Sequence, residues 1–307
     1  MSRLPPLHFW SGQEVHDHWF GTKHLGGEQR VELEQKGLSA YLAELIGTFL
    51  LVFFITSVVT LYVSTGAQAS FGSDFAVVGF VQGLTLFGVI CMFGAVSGGH
   101  FNPAVTLAAA TIRKISVIDA VIYILAQLSG AVLGALLTKG LLLDEGRAVH
   151  YGAGSVSSLL ANNAAGAAVE AIGVFALVLV ILAVVFSERS LKDWGPLAIG
   201  LTFVFMVMVG GPLTGACFNP ARWFGAALVS NEWGGVWPYL VGPVVGALVA
   251  VGVWRFVIEA GGPSPVEPPQ RVAPAAARGG KGSGPAEPSR GKGSASAEPR
   301  SSQPKKD

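Results

Sequence analysis

Apolar residues of this 307-residue chain are gathered between residues 39 and 259, in long runs rather than in a polar and apolar alternation. A helix needs roughly 20 apolar residues to cross a bilayer. Six runs approach that length, and the fifth is short because it meets GGPLTG: 40–63, 75–96, 117–138, 165–187, 196–210 and 236–257. Two further apolar segments, 102–113 and 219–229, are too short to cross. The pattern predicts an all-α membrane protein with six spans and two half-helices.

The two ends of the chain differ from this apolar centre. Residues 1–38 are polar and lack the apolar core of a cleavable signal peptide, so the first span is expected to act as its own insertion signal. Residues 260–307 consist mostly of Pro, Ala, Gly, Ser and Lys or Arg. Such a segment cannot bury enough apolar surface to offset its ordering entropy, so we expect a disordered tail.

The charge of the chain adds an orientation. Only 13% of the residues are charged and 51% are hydrophobic, against about 25% charged in a soluble domain. The net charge of +1 gives no reason to expect a nucleic-acid partner. The basic residues that fall on one side, if both termini share it, are Arg113, Lys114, Arg189, Lys192, Arg255 and those of the tail. By the positive-inside rule both termini are cytoplasmic, in a multi-pass protein of the cell (plasma or inner) membrane.

The apolar region repeats itself. AELIGTFLLVFF at 43–54 resembles VEAIGVFALVLV at 169–180, with an offset of 126 residues. The matched pairs include Glu44 with Glu170, Gly47 with Gly173 and Phe49 with Phe175. Three spans per copy invert the second copy relative to the first, so we expect inverted repeats at about 39–138 and 165–258. Such repeats place their interrupted helices face to face near the midplane.

Each short segment opens with the same triplet. The first lies in SGGHFNPAVT at 97–106 and the second, 117 residues later, in TGACFNPARW at 214–223. Asn is a strong N-cap and Pro is favoured at the first helical position, so Asn-Pro starts a helix well. The N-terminus of each half-helix carries roughly half a positive charge. Two such ends, with the amides of Asn102 and Asn219, predict a pore for small neutral molecules that disfavours cations.

These residues resemble the signatures of the aquaporin and glycerol-facilitator family, the major intrinsic proteins, over about residues 40–258. The resemblance implies a right-handed bundle of six tilted spans and two half-helices, and a homotetramer with one pore per subunit. The implied pore motifs are the two triplets, Asn102, Pro103 and Ala104 and Asn219, Pro220 and Ala221. It implies a channel domain at 39–259 whose partners are the bilayer, water and small neutral solutes, with no cofactor, metal or nucleic acid.

The resemblance also assigns roles to four polar residues. Glu44 and Glu170 would accept hydrogen bonds from the re-entrant loops, with a proton relay as the alternative. Arg222 would form part of a narrow constriction that donates to permeants and repels cations, with a purely structural Arg as the alternative. His100 would pack the first loop at the cytoplasmic vestibule and lend its carbonyl to the pore, with a pH gate as the alternative.

Three more positions match the constriction, and they depart from the family pattern. These are Gln82 on the second span, Val207 on the fifth and Ala216 in the second loop. Water-selective members usually place an aromatic residue at the first and His at the second. Gln82 either hydrogen-bonds Arg222 or narrows the lumen. The other markers, Trp223 after the pore Arg, Ala227 and the Tyr239-Leu240 pair, are mixed between the water and glycerol types.

The cysteines and the N-terminal histidines are weak signals. Cys91 and Cys217 are too few for a disulfide framework, and Cys217 is expected to be a small buried residue beside the pore. His8, His16, His18 and His24 approach a metal-ligand spacing, but an unliganded polar segment is favoured.

The sequence therefore predicts a channel for passive permeation of water and of small neutral solutes, which excludes ions and protons. A glycerol, urea, ammonia or peroxide facilitator with little water preference is the main alternative. A coupled secondary transporter needs midplane coupling charges, and Glu44, Glu170 and Arg222 are its only candidates. An ion channel is disfavoured by the paired positive helix ends. The core contains no nucleophile–base set, so the sequence does not predict an enzyme.

Overall fold

The computed structural model describes residues 36–63, 73–186 and 192–260, without the side chain of Lys192. The N-terminal histidines and the segment 261–307 lie outside the described residues. The helices in chain order are α1 (Leu38–Tyr62), α2 (Phe75–Ser97), α3 (Pro103–Thr111), α4 (Val117–Leu141), α5 (Leu143–Arg147), α6 (Asn163–Phe186), α7 (Gly195–Thr214), α8 (Pro220–Ser230) and α9 (Val236–Val253). A π-helix at Trp254–Glu259 continues α9. Within the described ranges, six helices are long and apolar enough to cross a membrane, as predicted.

One predicted boundary is wrong. The fifth span was expected to end at residue 210, but α7 continues through Pro212 to Thr214. Pro212 removes one helical hydrogen bond, yet the last turn is held at its end. Gly215 adopts a left-handed conformation with φ 77°, and its N–H donates to the carbonyl of Gly211 at 3.0 Å. A glycine cap of this kind satisfies the carbonyls that the helix end would leave free.

The helices pack as two equivalent sets. In the first set α1 contacts α4 and α2, and in the second α6 contacts α9 and α7. The second spans of the two sets, α2 and α7, contact each other. Each half-helix packs against the last span of the other set, α3 against α9 and α8 against α4. This reciprocal pattern agrees with the internal repeat that the sequence predicts.

Small residues allow the closest helix contacts. A Cβ atom added at Gly134 of α4 would lie 2.6 Å from the carbonyl oxygen of Phe49 on α1. In the second set, a Cβ atom at Gly246 of α9 would overlap the carbonyl of Ala171 on α6. Because lipid is as apolar as the side chains, close backbone packing replaces the hydrophobic effect as the main attraction between membrane helices.

Candidate pore and its supporting residues

Each half-helix begins as the sequence predicts. Asn102 and Asn219 are N-caps in extended conformation, and Pro103 and Pro220 are the first helical residues. The side-chain oxygen of Asn102 accepts from the N–H of Ala104 at 2.9 Å, and that of Asn219 accepts from the N–H of Ala221 at 3.0 Å. The caps fix both asparagine side chains at the tips of the loops.

The two loops are joined by a reciprocal pair of hydrogen bonds. The amide of Asn102 donates to the carbonyl of Phe218, and the amide of Asn219 donates to the carbonyl of Phe101, both at 2.8 Å. A side-chain amide carries two N–H donors. One hydrogen of each asparagine is used in this link, so one remains for a molecule in the pore. The structure therefore brings the two triplets together, as expected.

Glu44 holds the first loop from within α1. Its Oε1 accepts from Ser97 Oγ at 2.6 Å and from the N–H of His100 at 2.9 Å. Its Oε2 accepts from the N–H of Phe101 at 2.7 Å and from Gln127 Nε2 at 2.8 Å. The carboxylate is fully buried. A buried charge is tolerated only when it is fully hydrogen-bonded, and four donors meet that need.

Glu170 holds the second loop in the same way. Its Oε1 accepts from Thr214 Oγ1 at 2.6 Å and from the N–H of Cys217 at 3.0 Å. Its Oε2 accepts from the N–H of Phe218. The hydrogen bonds that the resemblance implies for both carboxylates are therefore present. Neither carboxylate lines the cavity described below, which is not the placement that a proton relay along the lumen requires.

The sequence analysis did not predict the role of several residues that support the loops. Tyr123 donates to the carbonyl of Ser97 at 2.8 Å, and Tyr239 donates to the carbonyl of Thr214 at 2.9 Å. The repeat contained the signal, since Ser97 and Thr214 are separated by the same 117 residues as the two triplets. Gln127 has no such twin, because Pro243 stands at the matching place in α9.

The loop phenylalanines were missed as well. A Cβ atom at Gly47 would overlap the ring of Phe101, and one at Gly173 would overlap the ring of Phe218. Each ring thus occupies the space beside the glycine of the repeated Glu-x-x-Gly stretch. Both phenylalanines have positive φ, 48° and 47°, which is strained for a residue with a side chain. The packing and the glutamate together hold this strained turn in place.

A narrow cavity leads from the asparagines to one face of the bundle. Its volume is about 80 Å³, and its lining runs from Asn102 and Asn219 to Lys36 and Lys114. The wall between these ends is mostly apolar, from Leu51, Ile55, Leu86, Ile90, Val178 and Leu182. A water needs roughly 10–15 Å³ of such volume, so the cavity has room for a short file of waters. We call the end at Lys36 and Lys114 the basic mouth.

His100 lies in the wall of this cavity near the basic mouth. Its Nδ1 is 3.1 Å from Thr106 Oγ1, and its ring contacts the edge of Tyr123. Burial lowers the pKa of His100, and the charge of Lys36 lowers it further. A lowered pKa favours the neutral imidazole, which does not favour a pH gate at this residue.

We expect osmotic water permeability to be flat between pH 5 and 8, because a histidine whose pKa is lowered stays neutral above it. Stopped-flow light scattering on proteoliposomes at five pH values measures this, with His100→Gln as the matched variant. A step near pH 6 that disappears in the variant would contradict the expectation.

Arg222 is 1% exposed and directly follows the second triplet. Its guanidinium donates to Cys217 Sγ at 3.1 Å and to the carbonyl of Gly215 at 3.4 Å, and its Nε has no partner among the described residues. Cys217 is 1% exposed and packs with Trp223 and Tyr239. It is the small buried residue that was expected, and it also contacts the arginine, which the sequence did not reveal.

Mercury should therefore inhibit weakly at most, because the Cys217 thiol is buried behind the arginine rather than exposed in the lumen. Water permeability with and without mercuric chloride tests this. The matched variant is Ala216→Cys, which moves a thiol to the adjacent loop position and should inhibit strongly. Strong inhibition of the unmodified chain that Cys217→Ser abolishes would contradict the prediction.

The remaining constriction residues are all buried. Val207 and Ala216 belong to one apolar cluster with Phe218. Gln82 is fully buried, and both polar atoms of its amide lack a hydrogen-bond partner among the described residues. Of the two roles predicted for Gln82, a hydrogen bond to Arg222 is wrong for this structure, because Arg222 donates to Cys217 and Gly215 instead. An unpartnered buried amide is costly.

Metal chemistry finds no support in the described part of the chain. In residues 36–63, 73–186 and 192–260, no group of three or more His, Cys, Asp or Glu side chains could hold a metal ion.

Six spans with two half-helices that meet at their N-termini define a membrane channel with re-entrant loops. A family model described as "Major intrinsic protein" matches residues 32–254. The chain belongs to the major intrinsic protein family. It is therefore a multi-pass membrane protein and a passive channel of the water and small-solute class, and not an enzyme.

The chain is similar to both main branches of the family. It is 37% identical over 215 residues to aquaporin NIP1-1 of Zea mays. The matched region covers 70% of this chain and 72% of that protein. It is 35% identical over 212 residues to glycerol uptake facilitator protein-like 6 of Lactiplantibacillus plantarum. The matched region covers 68% of this chain and 94% of that protein. The solved aquaglyceroporin of Plasmodium falciparum has the same fold, with a TM-score of 0.64, 24% identity and coverage of 72% and 96%.

Proposed function

We propose that water is the main permeant of this channel and that ions and protons are refused. The observation that carries the proposal is the reciprocal link between the loops of Asn102 and Asn219, both of which line a narrow, mostly apolar cavity. Each amide keeps one donor for a water oxygen, while the apolar wall offers the water few competing partners. Asn102, Pro103, Ala104, Asn219, Pro220 and Ala221 are the proposed pore motifs.

Charge is the reason that ions are refused. The N-termini of α3 and α8 each carry roughly half a positive charge, and Arg222 adds a full one beyond the second triplet. A cation entering the cavity would lose its hydration against apolar side chains and then meet like charge. The proposed roles of Glu44 and Glu170 are to hold the loops, and that of His100 is to shape the cavity near the basic mouth.

Proteoliposomes containing the full chain test the proposal. We expect fast osmotic shrinkage with a weak temperature dependence, and no current under a potassium or proton gradient. Saturable flux that follows an ion gradient would overturn the proposal in favour of a coupled transporter.

A second candidate function is a facilitator for small neutral solutes such as glycerol, urea, ammonia or peroxide. The observation that favours it is the proposed constriction itself, Gln82, Val207, Ala216 and Arg222, which departs from the aromatic residue and the histidine of water-selective members. The amide of Gln82 is buried and lacks a protein partner among the described residues, and a side-chain rotation towards the lumen would let it bond a solute hydroxyl or amide. The glycerol uptake facilitator protein-like relative also supports this function.

Narrowing the constriction separates the two candidates. We expect the double substitution Gln82→Phe and Val207→His to reduce glycerol and urea permeability more than water permeability, because both new rings add bulk to the lumen. Parallel stopped-flow measurements with water, glycerol, urea and peroxide check this, and Val209→His, on the exposed face of α7, is the matched control. An equal loss for all four permeants would argue against a role in solute size selection.

The remaining expectations concern the whole protein. We propose a homotetramer with one pore per subunit, in the cell (plasma or inner) membrane, with both termini cytoplasmic. The resemblance and the basic residues Arg113, Lys114 and Arg255 near one face support this arrangement. We further propose that residues 39–259 form the channel domain, preceded in the chain by the polar segment 1–38 and followed by the segment 260–307. Chemical cross-linking in native membranes and protease access to each terminus test these statements.

A further inference from the structure

Three cationic side chains meet at a cavity that is separate from the pore. The cavity has a volume of about 560 Å³ and lies between the end of α3, the end of α6 and the π-helix after α9. Arg113, Lys114 and Arg255 line it, and Glu259 is the one acid among the described lining residues. Among the described residues, no carboxylate lies within ion-pair distance of any of the three cations. We call this cavity the basic pocket.

The backbone at Arg113 is unusual. The N–H of Lys114 donates to the carbonyl of Ala109 at 2.8 Å, and the N–H of Arg113 donates to the carbonyl of Ala110 at 3.0 Å. This is the Schellman end of a helix, whose left-handed position usually holds Gly. Here Arg113 occupies it with φ 58°. The chain thus accepts backbone strain that a glycine would avoid, and what it gains is a cation at the rim of the basic pocket.

The opposite wall of the basic pocket is unusual too. The π-helix Trp254–Glu259 widens the last turn and brings both Arg255 and Glu259 to the pocket. Single π-turns are rare and occur frequently at functional sites. Trp254 is buried and packs edge-on against Phe186, and the ammonium of Lys114 lies over the Phe186 ring at 5.3 Å from its centroid. The aromatic pair therefore fixes the pocket floor and one of its cations.

The depth of the basic pocket matches that of lipid headgroups. The α9 helix has 18 residues from Val236 to Val253, which is about 27 Å at 1.5 Å per residue. A bilayer core is about 30 Å thick, so Arg255 lies where hydrocarbon gives way to headgroups. Phe256, next along the chain, is 78% exposed. A stripe of exposed apolar residues leads along α9 towards it: Val241, Val244, Val245, Leu248 and Val249.

We propose that the basic pocket binds the phosphate headgroup of an anionic phospholipid, whose acyl chains lie along the exposed stripe of α9. The three cations outnumber the acid Glu259, and pockets of this type between helices favour anionic headgroups. Lys114 and Phe186 also line the pore cavity at the basic mouth. A bound headgroup therefore contacts the same side chains that form the end of the pore, and it stabilises the wall between the two cavities.

Lipid binding to the purified full chain tests the proposal. Native mass spectrometry with phosphatidylglycerol and with phosphatidylcholine of the same acyl chains measures affinity, and the thermal midpoint measures stabilisation. We expect phosphatidylglycerol to bind more tightly and to raise the midpoint. Removing one of the three cations should weaken the affinity for phosphatidylglycerol about fivefold, as expected for a basic residue near an anionic surface.

Arg113→Gly is the informative variant, because glycine suits the left-handed turn and cannot unfold it. Its midpoint in phosphatidylcholine should equal or exceed that of the unmodified chain, while its affinity for phosphatidylglycerol falls. Arg255→Gln should also weaken binding, and Glu259→Gln should strengthen it. Arg147→Gln is the control, since Arg147 is exposed near Asp144 and does not line the pocket. All variants keep the same basic tail.

Two results would overturn the proposal. The first is that the two lipids bind equally, or that Arg147→Gln weakens phosphatidylglycerol binding as much as the pocket variants do. Either outcome would mean that basic residues attract anionic lipid without a specific site. The second is that inorganic phosphate alone raises the midpoint as much as phosphatidylglycerol does and displaces it, which would make free phosphate the ligand. Water permeability, measured alongside, tests the proposed function independently, because a channel without a lipid site still shrinks vesicles.

Discussion

Replacing Glu170 by Gln should destabilise the protein and remove most of its water permeability. Both carboxylate oxygens accept hydrogen bonds, from Thr214 Oγ1 and from the backbone N–H groups of Cys217 and Phe218. An amide has one accepting oxygen, so at least one buried backbone N–H loses its partner. Such a loss costs about 1–3 kcal/mol of unfolding free energy. The second loop would then move, and with it Asn219.

Thermal unfolding in detergent and stopped-flow permeability measure the effect of Glu170→Gln. Glu145→Gln is the control, since Glu145 is exposed on α5 and should change neither quantity. Glu44→Gln should act with the same sign, because the N–H groups of His100 and Phe101 depend on that carboxylate. If both variants unfolded and conducted like the unmodified chain, the glutamates would not be what holds the loops.

The second large effect concerns two glycines on α4. Substituting one of them by alanine should lower the stability of the protein, and substituting the other should raise it. At Gly134 a Cβ atom would lie 2.6 Å from the carbonyl oxygen of Phe49 and 2.8 Å from the N of Phe53. These are backbone atoms of α1 and cannot rotate away. We expect Gly134→Ala to cost about 1–3 kcal/mol, the usual range for overpacking, and to lower permeability because α1 carries Glu44.

Gly140 lies on the same helix and has nothing within 4 Å of its added Cβ atom. Gly140→Ala should stabilise by roughly 0.5–1 kcal/mol, because alanine loses less conformational freedom in a helix. The thermal midpoints of the two variants decide the matter. A second matched pair on α9, Gly246→Ala against Gly252→Ala, should repeat the result. Equal midpoints within a pair would show that the helices do not depend on this close approach.

The fold was predictable because the patterns that determine it lie in contiguous stretches of the sequence. Membrane-length runs gave six spans, and Asn-Pro gave both half-helices to within a residue or two of their starts. The family resemblance then placed both glutamates and the arginine. The end of α7 was predicted wrongly because Pro212 normally ends a helix, whereas a local glycine cap and the bond from Thr214 to Glu170 keep the last turn here.

Individual side-chain partners could not be read from the sequence in this way. Nothing in the sequence shows that Arg222 donates to Cys217, or that the amide of Gln82 has no partner among the described residues. The first fact depends on how the second loop turns over five residues, and the second on how α2 packs against its neighbours. The rings of Phe101 and Phe218 are an intermediate case, because a phenylalanine directly before each Asn-Pro-Ala triplet was visible in the sequence and went unused.

The bonds between Asn102 and the carbonyl of Phe218, and between Asn219 and the carbonyl of Phe101, also set an order for biogenesis. Each loop is braced by a glutamate of its own half, so the first half can shape its turn as soon as it is inserted. The donor that Phe101 awaits is made 118 residues later. Until then the carbonyl of Phe101 has no partner from the second loop. A chain stopped before Asn219 therefore cannot complete the reciprocal link that joins the two loops.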